Sequence, residues 1–236
     1  MKNKQMNKIL KLLSVLIMVF TLQSCSDDDQ GYEMVPKSVS EIVDSSMNYT
    51  FLTYALQQTN LYSVLNGSDI YTLFAPSDMA FRRFLMTNGY QDIDEVPLKV
   101  LKQILLNHVL AGQLEYRDIE SGYYKTAAPS GPSAKALSMY IKQINMRVTI
   151  NGESVITQGN VRASNGIIHA VDRVIPLPSV VTFVTADPNL TNLTIALTRS
   201  DLTVDFVTTL STKLGASPAP FTVFAPTDQA FMNLLV

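Results

Sequence analysis

The chain has 236 residues, of which 47% are hydrophobic, so it is long enough for one or two domains with ordinary cores. Its formal net charge of −2 lacks the basic excess that nucleic-acid binding requires, so we expect no nucleic-acid partner. The single cysteine excludes an intrachain disulfide and any metal site built from several thiolates.

The first segment has the composition of an export signal. Four lysines at positions 2, 4, 8 and 11 precede an apolar run over residues 12–22. This run is shorter than the roughly 20 apolar residues that a membrane-spanning helix needs. We therefore predict a signal peptide over residues 1–24.

The residues that follow indicate a lipid anchor. Residues 22–25 (LQSC) resemble the lipobox of bacterial lipoproteins, in which the cysteine is lipidated and becomes the first residue of the mature protein. Cys25 is therefore the predicted lipidation site, the alternative being a free cysteine after an ordinary signal. Residues 26–29 (SDDD) resemble the surface-export signal of Bacteroidetes lipoproteins, and are otherwise a solvated acidic linker.

The predicted location is accordingly the cell envelope. A lipid on Cys25 would anchor the protein in the outer membrane, so the membrane is a predicted partner. Whether the protein faces the periplasm or the cell surface is left open. Residues 25–39 are mostly polar and are predicted to form a tether between the lipid and the folded part.

A long internal repeat defines the domain organisation. Residues 72–81 read TLFAPSDMAF and residues 222–231 read TVFAPTDQAF, with a weaker match between residues 50–61 and 191–202. A repeat of about 140–150 residues indicates tandem domains, because solenoid repeats are far shorter.

The repeat gives the domain boundaries. We predict a first domain over residues 40–178 and the N-terminal part of a second over residues 179–236. Prolines at 176 and 178 suit a stiff boundary between the two. Whether the chain ends naturally at Val236 or is a fragment is left open.

The first domain begins with helical patterns. Apolar residues at mostly helical spacing predict a helix over residues 41–57. A short strand follows over residues 71–74 and ends at Pro76. Ser77 is predicted to N-cap the next helix, with Asp78 in its first turn, where the helix dipole favours an anion.

The middle of the domain contains a second helix and a predicted loop. Residues 97–110 have a proline at the start and an amphipathic pattern that places His108 in or beside the core. Residues 121–135 are rich in Gly, Pro and Ser, which predicts a loop. Tyr123 and Tyr124 in this loop are candidate binding residues, because exposed aromatic rings stack on sugars, the alternative being that both are pinned to the sheet.

The last part of the domain is predicted to be strands. Residues 144–150 alternate strictly, and Asn151-Gly152 then favours a hairpin into residues 153–157. After Asn165-Gly166, residues 167–175 are apolar on both faces, which predicts a central strand. Helices first and strands last indicate an α+β fold.

Three stretches together resemble the fasciclin domain. Residues 71–81 (YTLFAPSDMAF) resemble its first signature, residues 165–175 (NGIIHAVDRVI) its second, and residues 105–110 (LLNHVL) the histidine-bearing helix end between them. The motif positions taken as structural are Phe74, Pro76, Ser77, Asp78, Gly166, His169 and Asp172. The resemblance implies a fasciclin-like β-sandwich or wedge with packed helices, in tandem with a truncated second copy.

The resemblance also implies a function class. It indicates an extracellular, often membrane-anchored module for adhesion and for matrix or glycan contact, without enzymatic activity. In animal members a Tyr-His pair on the central helix is often linked to receptor adhesion. Here the pair is Asn107-His108, so that role is not carried over, and both residues are kept only as candidate binding residues.

The residues give little support to catalysis or metal binding. There are two histidines, and a zinc site needs three or four protein ligands. His169 and Asp172 are three residues apart on a predicted strand, so they point to opposite faces and do not suit a dyad. No nucleophile-elbow, phosphate-loop or dinucleotide motif is present. We therefore expect no catalytic residue, no metal and no cofactor.

The preferred interpretation is a non-enzymatic envelope lipoprotein that displays fasciclin-like domains for adhesion or contact with an extracellular protein or glycan. The alternative is a glycan-binding accessory of a polysaccharide uptake system. An enzyme is the least favoured class.

Overall fold

The computed structural model describes residues 36–130, 135–212 and 216–234. The predicted signal peptide, Cys25 and most of the predicted tether lie outside the described residues. The α-helices are α1 (Val39–Asp44), α2 (Thr50–Gln58), α3 (Tyr62–Leu65), α4 (Asp78–Thr87), α5 (Leu98–Asn107), α6 (Val180–Ala186), α7 (Thr191–Leu197), α8 (Phe206–Leu210) and α9 (Asp228–Leu234). Short 3₁₀ helices occur at Ile93–Glu95, Tyr116–Asp118 and Pro188–Leu190.

The strands form one mixed sheet. They are β1 (Tyr71–Pro76), β2 (Val109–Ala111), β3 (Gly122–Ser130), β4 (Lys135–Ile144), β5 (Arg147–Ile150), β6 (Ser154–Ala163) and β7 (Gly166–Val171). Their order in the sheet is β2-β1-β7-β6-β5-β4-β3. The two edge strands, β2 and β3, also contact each other, so the sheet curves into a nearly closed wedge. Helices packed on this sheet confirm the predicted α+β fold.

The pairing of β1 with β7 is parallel, whereas every other pairing in the described sheet is antiparallel. The register places Tyr71 opposite Gly166 and Phe74 opposite His169. The two signature stretches, about 95 residues apart in sequence, are therefore neighbouring strands. Because β7 lies between β1 and β6, its predicted central position is confirmed.

Strand β1 is buried on both faces and separates two hydrophobic cores. Leu73 and Ala75 face a core formed with helices α1 to α5. Phe74 points the other way, into a second core formed mainly by strands β4 to β7. Alternating side chains on one strand thus contribute to both cores, which explains why the first signature is apolar at successive positions.

The turn before β7 connects distant parts of the fold. The buried Asn165 side chain accepts a hydrogen bond from the Val39 N–H (2.8 Å) and donates to the carbonyl oxygens of Leu65 (2.8 Å) and Gly67 (2.7 Å). The sequence placed Asn165 at the start of the second signature but assigned it no contacts. Asn165 is in fact a polar cross-link among α1, the end of α3 and the sheet.

The predicted helix over residues 41–57 was wrong as one element, because the chain breaks between α1 and α2. Asp78 binds the chain at this break. Its N–H donates to the Asn48 carbonyl (2.9 Å), and its carboxylate accepts from the Phe51 N–H (2.9 Å). Turning the chain here brings the start of α2 to the start of α4.

Three further predicted boundaries were wrong. The helix over residues 97–110 ends at Asn107, because residues 109–111 pair with β1 as strand β2. The predicted loop over residues 121–135 contains strand β3, which pairs with β4 despite its Gly, Pro and Ser. The strand over residues 144–150 is interrupted by Asn145 and Met146, whose φ angles of 50° and 61° form a tight hairpin turn.

The second decamer forms only part of the structure seen in the first. Helix α9 begins as α4 does, with Thr227 Oγ1 accepting from the Ala230 N–H (3.3 Å). Residues 221–226, however, form no strand, and Phe224 is 93% exposed whereas Phe74 is fully buried. In the first decamer, by contrast, β1 lies between β2 and β7 in the sheet.

We predict that Gly166→Ala lowers the free energy of unfolding by at least about 3 kcal/mol. A Cβ atom at Gly166 would lie 2.0 Å from the Tyr71 carbonyl oxygen, and the backbone φ of 153° also disfavours a side chain. Denaturant unfolding measures the change.

Gly122→Ala is the matched control, because Gly122 also begins a strand but a Cβ atom there meets nothing within 4 Å. This control is expected to change stability by less than about 1 kcal/mol. Equal stability of the two variants would contradict the steric account of Gly166.

Candidate binding surface

The first signature ends in a helix cap. Ser77 Oγ accepts from the Ala80 N–H (3.3 Å), and Asp78 accepts from Thr50 Oγ1 (2.7 Å) and from the Phe51 N–H. Ser77 thus caps α4. Asp78 joins the start of α4 to the start of α2.

The same arrangement occurs near the C-terminus. Asp228 Oδ1 accepts from the Asn192 N–H at 2.7 Å, just as Asp78 accepts from the Phe51 N–H. The start of α7 is thus joined to the start of α9 as α2 is joined to α4. Both decamers carry the same structural contact.

His108 is completely buried at the end of α5, and both ring nitrogens have partners. The Ile104 carbonyl lies 2.7 Å from Nδ1 and can only accept, so Nδ1 carries the proton. Nε2 then accepts from the Ile175 N–H at 2.8 Å. Burial lowers the pKa of His108 to about 4, so the ring is neutral at pH 7.

Asn107 is also fully buried, and its Nδ2 donates to the Pro176 carbonyl at 3.0 Å. Together with His108, it fixes the segment that follows β7 against the end of α5. The two candidate binding residues predicted here have no exposed side-chain surface. A ligand at the protein surface cannot contact them, so their position corrects the expectation of a binding role.

His169 in the second signature is also engaged on both nitrogens. Nε2 donates to the Leu114 carbonyl (2.8 Å), and Nδ1 accepts from the Asn160 N–H (3.3 Å). Burial lowers its pKa. Asp172 instead accepts from the Val155 N–H (2.7 Å), so it does not pair with His169.

His169 also connects the two signatures through its ring, which stacks on Phe74 with a centroid distance of 5.7 Å.

Within the described ranges, no cluster of three or more His, Cys, Asp or Glu residues is arranged to hold a metal ion. The part of the chain that the structure describes also contains no helix long and apolar enough to cross a membrane.

Tyr123 and Tyr124 lie next to each other on β3 and therefore face opposite sides of the sheet. Tyr124 packs against the core beneath β4, and its hydroxyl donates to the Glu120 carbonyl (2.9 Å). Tyr123 points outward and is 51% exposed. Of the two predicted binding tyrosines, Tyr123 is exposed and Tyr124 is partly buried.

The outward ring of Tyr123 already has neighbours. It packs against Tyr140 on β4 (4.9 Å between centroids) and against Phe183 on α6 (5.6 Å). Its hydroxyl donates to Asp187 Oδ2 at 2.9 Å, and burial together with this carboxylate raises the pKa of Tyr123. Sequence analysis missed Tyr140, Phe183 and Asp187, because nothing local in the sequence relates them to Tyr123.

The outer face of β3, β4 and β5, which we call the outer sheet face, has only basic charges on its own strands, while the carboxylate of Asp187 lies beside Tyr123 on this face. Residues 121–152 contain four Lys or Arg residues and no Asp or Glu. Met139 and Ile141 of β4 face the core, so Lys142 lies on the opposite face, beside Thr149 of β5. Lys125 and Arg147, at outward positions on β3 and β5, extend the basic surface on either side.

Comparison with known proteins identifies the family. The Fasciclin domain model matches residues 47–178, more than half of the chain. The chain belongs to the fasciclin domain family. Domains of this family are typically involved in cell adhesion.

The fasciclin relatives come from animals and bacteria. Transforming growth factor-beta-induced protein ig-h3 of Sus scrofa is 26% identical over 147 residues, which cover 62% of this chain but 20% of the relative. Protein sll1483 of Synechocystis sp. is 27% identical over 141 residues, covering 60% of this chain and 74% of the relative. The match therefore spans about a fifth of the length of ig-h3.

A solved FAS1 domain pair from the insect cell adhesion molecule Fasciclin I is similar to this structure with a TM-score of 0.48 and 18% identity. The similarity covers 59% of this chain and 50% of that chain.

We expect the fasciclin domain to lose stability as the pH falls from about 6.5 to about 4. In this window the unfolded chain protonates His108 while the folded chain does not, so acid favours unfolding. The loss attributed to His108 between pH 7 and 4.5 is about 2–3 kcal/mol. Urea unfolding of wild type and His108→Gln at both pH values measures it.

The variant is expected to be less stable at pH 7 but to lose less stability on acidification. His169, whose pKa is also lowered, remains in both proteins and contributes the same slope to each. Nitrogen-15 shifts of the wild-type His108 ring provide an independent check, and a protonated ring at pH 6 would contradict the prediction.

Proposed function

We propose that this protein is a cell-envelope lipoprotein that presents its fasciclin domain for adhesion. The observation that supports this most is the match of residues 47–178 to a family whose domains typically take part in cell adhesion. The polar atoms of His108, His169, Ser77 and Asp78 are occupied by bonds within the fold. This occupancy is more consistent with a binding function at the protein surface than with catalysis by these residues.

The proposed envelope location rests on the N-terminal sequence. A lysine-rich start, an apolar run and Cys25 at the end of a lipobox-like stretch together suit an exported lipoprotein. The polar residues between Cys25 and α1 provide a spacer from the membrane. The proposed partners are the membrane, through the lipid, and an extracellular protein or glycan.

Cys25→Ala is expected to abolish incorporation of an alkyne-tagged fatty acid in the native host and to release the protein from the membrane fraction, since Cys25 is the sole cysteine. Cys25→Ser is a second variant with nearly the same volume, and Ser24→Ala is the neighbouring control. Equal lipid labelling of wild type and Cys25→Ala would refute the anchor. Cell–cell adhesion that persists after release of the protein would refute adhesion.

Glycan binding is the second candidate, and the charge of the outer sheet face favours it. Lys142 and Arg147 lie on strands β4 and β5 within the stretch that has no Asp or Glu. Basic side chains on neighbouring strands suit an acidic polysaccharide such as a polyuronate. Tyr123 lies on the same face, but its ring and hydroxyl are already engaged by Phe183 and Asp187, so the candidate rests on the two basic side chains.

The double variant Lys142→Gln/Arg147→Gln is expected to weaken binding of a polyuronate oligosaccharide about five- to tenfold at low salt. Isothermal titration or a glycan array measures the effect. The matched control is Lys99→Gln/Lys102→Gln, which removes two exposed charges from α5 and is expected to leave binding unchanged. Equal weakening by both double variants, or preferential binding of neutral oligosaccharides, would contradict this candidate function.

A further inference from the structure

The residues that follow the fasciclin domain lie against its outer sheet face. Helix α6 contacts β4, and the Phe183 ring meets the Tyr123 ring edge-on at 5.6 Å between centroids. Asp187, just after α6, is buried and accepts from the Tyr123 hydroxyl at 2.9 Å. Tyr140 on β4, beneath these groups, is only 4% exposed although it points away from the core.

A close backbone approach accompanies the ring contacts. A Cβ atom placed at Gly152, in the turn between β5 and β6, would lie 3.5 Å from the Ala186 side chain. The positive φ of 75° at Gly152 also suits the hairpin turn. The end of α6 therefore fits against this turn at normal van der Waals distance, as a packed interface requires.

The connection between β7 and α6 is fixed at its start and at its end. Ile175 and Pro176 are bonded to the buried His108 and Asn107 side chains at 2.8 and 3.0 Å. Pro176 and Pro178 restrict the backbone of the connection. Ser179 then caps α6, since its Oγ accepts from the Thr182 N–H at 3.3 Å.

Helix α6 needs tertiary contacts to be stable. It is seven residues long, and isolated helices of that length are unstable in water. On one side Val184 packs with Leu190 and Leu193 of the C-terminal part. On the other side Phe183 contacts Tyr123, so docking on the outer sheet face supplies the contacts that join α6 to the first domain.

We propose that the outer sheet face at Tyr123 and Tyr140 is the docking surface for the chain that follows the first domain, and that the Tyr123–Asp187 hydrogen bond locks residues 180–187 in one orientation. The occupant is this C-terminal segment of the same chain. Tyr123 is thus an interdomain contact, and consecutive domains are held at a fixed angle rather than joined by a free linker.

Hydrogen exchange of the full chain, followed by mass spectrometry, tests the proposal. Tyr123→Phe removes the hydroxyl and keeps the ring, so amides of residues 183–187 are expected to exchange about tenfold faster. Asp187→Asn is expected to change exchange in the same direction but less, because the amide group that replaces Oδ2 can still donate to the Tyr123 hydroxyl, while Oδ1 keeps its bond from the Asn189 N–H (2.9 Å). Combining the two is expected to add little to Tyr123→Phe, since both variants act on one bond.

Tyr124→Phe is the matched control, because the neighbouring hydroxyl bonds to Glu120 and not to the C-terminal segment. Peptides covering β7 should keep their wild-type exchange in all variants, which separates undocking from loss of the fold. The proposal is overturned if Tyr123→Phe leaves exchange at residues 183–187 within twofold of Tyr124→Phe. It is also overturned if the effects of Tyr123→Phe and Asp187→Asn simply multiply in the double variant.

Discussion

The parallel pairing of β1 with β7 is the constraint on which the rest of the fold depends. Because β1 contributes Leu73 to one core and Phe74 to the other, both cores are formed only when this strand is in register. Gly166 allows the register, because any side chain there would collide with the Tyr71 carbonyl. His169 then stacks on Phe74 and bonds to the Leu114 carbonyl, which holds the segment after β2 against the same strand pair.

Local sequence signals predicted the structure correctly where neighbouring residues alone determine the geometry of an element. The cap at Ser77 and the hairpin at Asn151-Gly152 follow from neighbouring residues and are present in the structure. Strand β3 was missed because its Gly, Pro and Ser content indicates a loop, and pairing with β4 overrides that preference. The partner of Tyr123 was missed because Asp187 is 64 residues away, and no local pattern reports such a contact.

Two polar residues of the central motif, Asn107 and His108, are buried in this protein. Asn107 Nδ2 and His108 Nε2 bond to the backbone at Pro176 and Ile175, where the chain leaves the sheet. These backbone partners lie in a segment that lacks regular secondary structure, so the two side chains supply hydrogen bonds that a helix or strand would otherwise provide. Asn107 and His108 therefore fix the direction in which the chain leaves the sheet.

The attachment of the N-terminal end to the sheet has a mechanical consequence. The Lys37 carbonyl accepts from the Ser164 N–H, and the Val39 N–H donates to Asn165, both at 2.8 Å. Tension applied through the N-terminal end of the chain would reach these two adjacent bonds first. They lie at the turn that leads into β7, so the load would reach the interior strand pair β1–β7 before it reaches the β3–β4 edge of the sheet.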